Sequence, residues 1–600
     1  MERTFQAGGR RPLLHVIGAP SFTLKSRGFG GRRGDNTVRR TAWQRALLKI
    51  AAVGTALSLA ACTPPVDPPT PGGSRGSATV TGSGSSAPEI DTTFRFATAA
   101  KPVGLDPALE VDAESYRVTR QILETLVGVD PVTGGPIPNL ATDWSGADDG
   151  LSYTFELREG VTFHDGTEFS ATAVCTNFER WFTLPKRVQD ERAGLQFQTV
   201  FKGFSDTPEL SIYQDCVVDG PFQVTLELDE RYTGLIRALT MPAFGISSPS
   251  ALKAKEANVL SEKRGARKLS PYGLHPVGTG PFTLESWEGD DVVLKSYADY
   301  WGDRGKVRKV VFTTISDPAL RLEALKDERV DGYDLATVEN FEPLTRAGMK
   351  VLLRDPFSVL YMGINQDYEP LDDPLVREAL AHAVDQQAIV DDLFIDGTET
   401  AHSFLPQIFD IQAAESPAYE YDVQEARALL EESSYDGGEI PFYYPLDVTR
   451  AYLPSPEKIY AKLSRQLTAA GFNLKPVPIE WSDGYLQKVQ SDRPHGLHLL
   501  GWSGSYRDPD NFVSPLFRAE TEEFGFSNPQ LFSMIDQARK LPIGEERVEA
   551  YKDIQALVTE EIPAVPLAFP ISALALSPRV ESYPVSPVLD EVFNDIVLVG

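Results

Sequence analysis

Hydrophobic and polar residues alternate at several places after residue 90, and each such run predicts a strand. Phe94-Arg95-Phe96 and Tyr153-Thr154-Phe155-Glu156-Leu157 are two, and Val217 to Leu228 contains another. Phe282 to Leu284, Val292 to Leu294 and Val307 to Ile315 follow. Leu105-Asp106-Pro107 and Asp165-Gly166 read as turns. Other stretches keep the helical period: Glu114 to Val127 carries Tyr116, Ile122, Leu123 and Leu126. Asp317-Pro318 and Asp373-Pro374 each set a capping carboxylate before a proline at the first helical position. Leu322 and Leu325 follow the first, and Val376, Leu380, Val384 and Ile389 the second. Late helices are expected near Glu457 to Ala470, Asn528 to Leu541 and Glu545 to Glu561. The elements alternate irregularly, with no fixed repeat. Local patterning therefore gives an α/β or α+β chain, and 600 residues exceed one ordinary core.

The first ninety residues break this pattern. Residues 1–37 are rich in Arg and Gly, without apolar periodicity. Arg39, Arg40, Arg45 and Lys49 then precede Ile50 to Ala61, apolar apart from Thr55 and Ser58. A basic stretch, a short apolar run and small residues before a cleavage point make an export signal over 1–61. The run is shorter than the roughly 20 residues that span a bilayer. Leu59-Ala60-Ala61-Cys62 resembles the bacterial lipobox, which implies lipidation at Cys62. Two or more acyl chains hold a protein at a membrane where one does not. Residues 62–89, dominated by Pro, Gly, Ser and Thr, bury no core and predict a flexible tether.

Composition narrows the class. The chain is 42% apolar and 24% charged, with a formal charge of −28. The first 61 residues are basic, so the exported body is more acidic still. Such a surface repels nucleic acid and anionic lipid. Of three cysteines, Cys175 and Cys216 remain once Cys62 is set aside; they form one disulfide or stay as two buried thiols. No HExxH, CxxC or Cys/His cluster indicates a metal, and no cofactor is implied. His495 and His498, three apart in a region read as strand, are expected on opposite faces. Gly501-Trp502-Ser503-Gly504-Ser505 misses the last glycine of a nucleophile elbow, so a secreted hydrolase is a remote alternative.

Five blocks in order resemble the family 5 solute-binding proteins of ABC importers, the dipeptide, oligopeptide and nickel group. The first runs from Gly104-Leu105-Asp106-Pro107 through Ala141-Thr142-Asp143-Trp144 to Gly160-Val161-Thr162-Phe163-His164-Asp165-Gly166-Thr167. The second is Pro276-Val277-Gly278-Thr279-Gly280-Pro281-Phe282 with Tyr300-Trp301-Gly302. The third is Tyr361-Met362-Gly363-Ile364-Asn365 with Val376 to Asp385. The fourth is Gly501-Trp502 with Asp508-Pro509-Asp510-Asn511-Phe512, and the fifth is Ile562 to Leu567. The resemblance implies a bilobal, periplasmic-binding-protein-like α/β fold of type II with an extra subdomain in lobe I and a two-crossing hinge. Lobe I is expected over 90–129 and 251–361 with the subdomain over 130–250. Lobe II is expected over 362–562, and the chain returns to lobe I over 563–600.

The same resemblance implies a non-enzymatic, monomeric receptor tethered outside the cell membrane. It grips a small solute between its lobes and passes it to permease subunits. Peptide leads as the ligand class by family frequency; an oligosaccharide, a metal chelate, or a sensor or adhesion role without transport are alternatives. Trp502 and Tyr506 match positions whose aromatics wall the cleft, and Tyr116, Tyr361 and Asn365 are weaker candidates. Peptide-binding members place an Asp, which pairs with the ligand's amine, where this chain has Ser505. Asp508 and Asp510 either replace it or shape the turn.

Overall fold

The computed structural model describes residues 91–189, 194–264, 267–411, 419–491, 494–586 and 588–599. The export region 1–61, the tether 62–89 and Cys62 lie outside the described residues. Among the described residues no helix is long and apolar enough to cross a membrane.

Two large mixed sheets organise the chain. The first has seven strands in the order Phe282–Glu288, Asp291–Ser296, Lys309–Thr314, Thr93–Thr98, Gly332–Asp334, Ser572–Leu576, Lys350–Arg354. Thr93–Thr98 runs parallel to both neighbours, pairing Phe96 with Phe312 on one side and with Gly332 on the other. The second sheet has six strands in the order Glu399–Thr400, Ala564–Phe569, Ser358–Ile364, Leu497–Ser503, Ile440–Leu446, Leu474–Glu480. These sheets are the cores of the two lobes. A four-stranded antiparallel sheet, Ala141–Gly146, Ser152–Leu157, Gln223–Leu228 and Tyr213–Gly220, forms the subdomain inserted in lobe I.

Sheet membership changes between Arg354 and Ser358, and again between Phe569 and Ser572. The sequence-based limit of 361 thus falls inside the strand Ser358–Ile364, and that of 562 at the end of the helix Glu545–Glu561, ahead of the strand Ala564–Phe569. The connecting segments are Asp355-Pro356-Phe357 and Pro570-Ile571. Proline supplies no N–H to a ladder and ends strand pairing.

The expected helix from Glu114 to Val127 is shorter, spanning Ala113–Thr119. The Asp112 carboxylate caps it by accepting the Ser115 N–H. Beyond Thr119 the backbone is claimed by another segment: the Gln121 carbonyl accepts from the Phe282 N–H at 3.0 Å and Ile122 from Gly280 at 2.9 Å. A Cβ on Gly278 or Gly280 would run into the Ile122 and Leu123 backbone, which is why the Gly-Thr-Gly motif takes no larger residue. The buried Glu124 carboxylate then accepts hydrogen bonds from Thr279 (2.7 Å), Tyr300 (2.8 Å) and Trp301 (2.8 Å). The second sequence block is therefore structural, a set of donors around one carboxylate. The capping devices at Asp317 and Asp373 form as expected, over Pro318–Lys326 and Pro374–His382. Cys175, in the helix Ala171–Phe182, and Cys216, in the strand Tyr213–Gly220, are joined in a disulfide.

Two expectations follow. Thiol labelling of unfolded, unreduced protein should find neither Cys175 nor Cys216 free. Reduction should lower unfolding free energy by about 4 kcal/mol, the chain-entropy value for a loop of this length. Glu124 provides the second. Burial is the largest influence and outweighs its hydrogen bonds, raising its carboxyl to about 7. Below the unfolded value both states are protonated. As pH rises from about 4.5 to about 7 only the unfolded state ionises, and native stability falls by an amount on the order of 3 kcal/mol. Glu124→Gln should remove that slope in pH-dependent chemical denaturation; a parallel slope in both proteins rejects the assignment.

Candidate functional site

Parallel strands send the loops after them to the same edge of a sheet, where open α/β sheets hold ligands. In lobe II, Ile440–Leu446 is parallel to both Leu474–Glu480 and Leu497–Ser503. The residues following these strands, including Arg450, Trp481 and Ser505, therefore emerge side by side. In lobe I, Gly332–Asp334 is parallel to Thr93–Thr98 and leads into Leu335 to Val338. A cleft lies between these two edges. It is lined by Leu335 and Thr337 from lobe I, by Phe394, Thr449 and Arg450 from lobe II, and by Ile571 at the return crossing.

The lip of the cleft is held in an unfavourable backbone conformation. Leu335 has φ of 57°, the left-handed region that a branched side chain disfavours. Its N–H donates to the Asp334 carboxylate at 2.8 Å and its carbonyl accepts from Arg321 at 3.3 Å. Two fixed partners thus compensate the strain.

Arg450 is the one charged side chain among the described residues lining this cleft. Its guanidinium lies 4.2 Å from the Trp481 ring centroid, a cation–π arrangement, and its buried Nε makes no hydrogen bond within the protein. The neighbouring Tyr452 is half-buried, and desolvation pushes its hydroxyl up to about 12 against the opposing charge of Arg450. Tyr452 packs flat against Gly501, where any Cβ would meet its ring. The loop after Leu446 and the loop after Ser503 are thereby in contact. Trp502, next along, is half-buried, and its indole N–H is also buried without a partner.

The other expected residues divide into two groups. Tyr506, Asp508 and Asp510 form a lock between lobe II and the inserted subdomain. Tyr506 is buried with the subdomain core, and its hydroxyl lies 2.8 Å from that of Tyr232. Asp508 accepts from Arg547 at 2.7 Å and Arg237 at 3.2 Å. It also accepts the Asp510 N–H at 3.0 Å, shaping the turn before the helix Asp510–Phe517. Asp510 meets Arg539 at 3.2 Å and accepts from Tyr232 at 3.0 Å. Both carboxylates are fully buried, and the Arg539 and Arg547 guanidiniums are driven up by these charges despite the opposing effect of burial. The aspartates have the turn-shaping role, and neither is free for a ligand amine. Ser505 is half-buried, and its N–H donates to the Asn511 side chain at 2.7 Å.

The second group lies in the interior of a lobe. Tyr116 is buried in the subdomain core and donates to the Glu110 carbonyl. Tyr361 lies inside the strand Ser358–Ile364, not at a crossing, and donates to Glu523 at 2.8 Å. The Asn365 amide donates to the Glu522 and Glu523 carbonyls. None of the three is among the cleft-lining residues. The histidine expectation is corrected too. The strand begins at Leu497, so the alternation rule does not reach His495, and the two rings meet at 3.2 Å between His495 Nε2 and His498 Nδ1. His498 Nε2 faces Glu523 at 3.3 Å. Burial acts to raise the Glu523 carboxyl, but His498, Tyr361 and Gln490 hold it below its ordinary value. Among the described residues no group of three His, Cys, Asp or Glu is arranged to hold a metal.

Comparison with known proteins agrees with this architecture. Residues 135–523 match the bacterial extracellular solute-binding proteins, family 5 (middle region). Heme-binding protein A of Haemophilus influenzae is 28% identical, over 85% of this chain and 93% of its own length. The dipeptide-binding protein of Escherichia coli is 26% identical, over 84% and 94%. The crystal structure of a dipeptide-binding protein from Pseudoalteromonas sp. SM9913 in complex with Met-Leu superposes with a TM-score of 0.75 at 25% identity, covering 84% of this chain and 100% of that one.

The lock can be tested. Removing one partner of a buried ion pair typically costs about 3–5 kcal/mol. Asp508→Ala should show that loss in chemical denaturation because it strands Arg547. A variant of unchanged stability but weakened solute binding would instead make Asp508 a ligand contact.

Proposed function

This chain belongs to the family 5 bacterial extracellular solute-binding proteins, and we propose that it is the lipid-anchored capture component of an ABC importer, taking a peptide-like solute between its two lobes. The observation that carries this reading is the cleft built from strand ends of both sheets, with two short crossings behind it. A solute there touches both lobes only when they are together. It therefore favours the closed form by its difference in affinity for the two forms, and a permease that recognises the closed outline receives loaded protein selectively. Apolar walls with a few fixed polar groups suit a small organic ligand. Leu335, Phe394, Ile395 and Ile571 supply the walls, and Thr337, Thr449 and Arg450 supply the polar groups. Burying one apolar side chain is worth about 1.5–3 kcal/mol, so a few such contacts support micromolar binding of about −8 kcal/mol. The Leu-Ala-Ala-Cys sequence ending at Cys62 supports anchoring at the outer face of the membrane. The body works as a monomer and releases its cargo unaltered. A non-peptide solute is the second reading, favoured by Ser505 and by the heme-binding relative.

Native mass spectrometry of the protein from the cells that make it should show one small molecule per chain. Adding that compound back to stripped protein should reduce the radius of gyration in X-ray scattering. Cys62→Ser should move the protein from the membrane to the soluble fraction and abolish labelling by a fatty-acid probe. A chemically altered compound, an unchanged radius, or retention of the label by the variant each overturns its part of the reading.

A further inference from the structure

The seam between lobe II and the inserted subdomain is built so that neither side depends on the other to balance its charges. Asp508 has Arg547 at 2.7 Å and Asp510 has Arg539 at 3.2 Å, and all four residues belong to lobe II. Within the subdomain, Lys202 meets Glu230 at 2.7 Å. What crosses the seam is a second partner for each group. The buried Tyr232 hydroxyl lies 2.8 Å from that of Tyr506 and donates to Asp510 at 3.0 Å. The Arg539 guanidinium is 4.4 Å from the centroid of the Tyr232 ring and donates to the Thr199 and Val200 carbonyls at 3.1 and 3.0 Å. Arg237 reaches Asp508 at 3.2 Å. The Thr233 N–H donates to the Arg539 carbonyl at 3.0 Å, and its hydroxyl to the Leu541 carbonyl at 2.7 Å. At the more exposed margin Lys202 meets Asp536 at 3.2 Å, and Lys540 meets Glu230 at 2.7 Å.

We propose that this seam is a releasable latch: Tyr232 is a bolt that seats among Tyr506, Asp510 and Arg539 when the lobes close and withdraws when they open. Residues that are not among the cleft-lining ones then set how long a solute stays. This rests on the reading of the chain as a two-lobed receptor and names the device that holds its closed form. The physical reason is how the charges divide. A buried ion that loses its only counter-charge makes separation prohibitive. Here each buried carboxylate of the seam leaves with a guanidinium of its own lobe. The hydroxyls, carbonyls and N–H groups given up are taken over by water, at a small net cost for each bond. Arg237 already has a side chain 31% exposed in the closed form. Elsewhere lobe I and lobe II meet through the exposed ion pair of Glu339 and Lys458, and a surface pair contributes little. The seam, with its several partly desolvated bonds, therefore carries the larger share of the hold.

Hydrogen exchange read by mass spectrometry tests the latch, with the Thr233 N–H as reporter because its acceptor lies across the seam. Two controls sit on either side of it: the Asp229 N–H, bonded to the Ile212 carbonyl at 2.9 Å, and the Arg539 N–H, bonded to the Ile535 carbonyl at 3.1 Å. Protein purified with its own solute is compared with the same protein stripped of it. Thr233 should exchange about tenfold faster in the stripped protein, with both controls unchanged. Tyr232→Phe keeps the ring and deletes the hydroxyl. It should speed Thr233 exchange about threefold in the stripped protein and shorten retention of the bound solute during dialysis, again with the controls unmoved. Equal protection of Thr233 with and without solute overturns the proposal; the seam is then a permanent joint in a protein that still binds a solute. A variant that speeds exchange at Thr233 and at the controls alike overturns it as well, because Tyr232 then serves only the fold. If no solute co-purifies, the receptor reading fails by itself, and unchanged Thr233 exchange in Tyr232→Phe still decides against the latch.

Discussion

The buried carboxylate of Asp334 holds lobe I together at the place where the cleft is made. Arg354 donates to it at 2.6 Å and Arg117 from the other side. Arg354 is fixed in turn by both oxygens of Glu591, at 2.6 and 2.9 Å, and Glu591 accepts from Tyr583 at 3.0 Å. Burial acts against the Asp334 charge, and the two guanidiniums overcome it, leaving the carboxyl below its ordinary range. Segments far apart in sequence meet here: the helix Ala113–Thr119, the strand ends at Asp334 and Arg354, and the C-terminal stretch from Tyr583 to Glu591. The same carboxylate takes the Leu335 N–H, so the left-handed turn at the cleft lip depends on the ion network behind it. Nonpolar packing surrounds the network; Phe94 and Phe593, for example, meet edge-on at 5.3 Å. Packing of that kind tolerates substitution of similar shape, whereas a buried charge tolerates no loss of its partner.

Lobe II follows the same rule with different residues. Asp508 and Asp510 are spent on Arg547, Arg539 and the inserted subdomain, and Glu523 on a hydroxyl, an imidazole and an amide. Arg450, by contrast, is stacked on Trp481 with its buried Nε unpartnered.

Much of the fold was legible in the sequence because its signals are local. Alternation at Phe94 to Phe96, the Asp-Pro caps at 317 and 373 and the late helices depend on neighbours within one turn or one strand. The helix expected to reach Val127 stopped at Thr119 because its carbonyls serve Gly280 and Phe282, some 160 residues away, a competition that no short window contains. The site was less legible. The loop from Gly501 to Phe512 was found through its motif, but a motif does not say which of its side chains face the ligand and which face another lobe. Tyr506, Asp508 and Asp510 are pulled inward by Tyr232, Arg237, Arg539 and Arg547, none of which carries a sequence signal of its own. Arg450 has no motif either. Its sign was positional: a basic residue just after an apolar strand that pairs in parallel with the strand before Gly501. Seeing that requires the strand order, which sequence patterning does not supply.

The two links between the sheets each contain a proline, Pro356 and Pro570. The ring holds the first torsion of its residue near −65°, so these links, only three and two residues long, have fewer free rotations than their length implies. Any swing of one sheet against the other is shared among the few torsions left. A jaw closing on these links would travel along a narrow track, more like a door on two pins than a flap on a ribbon.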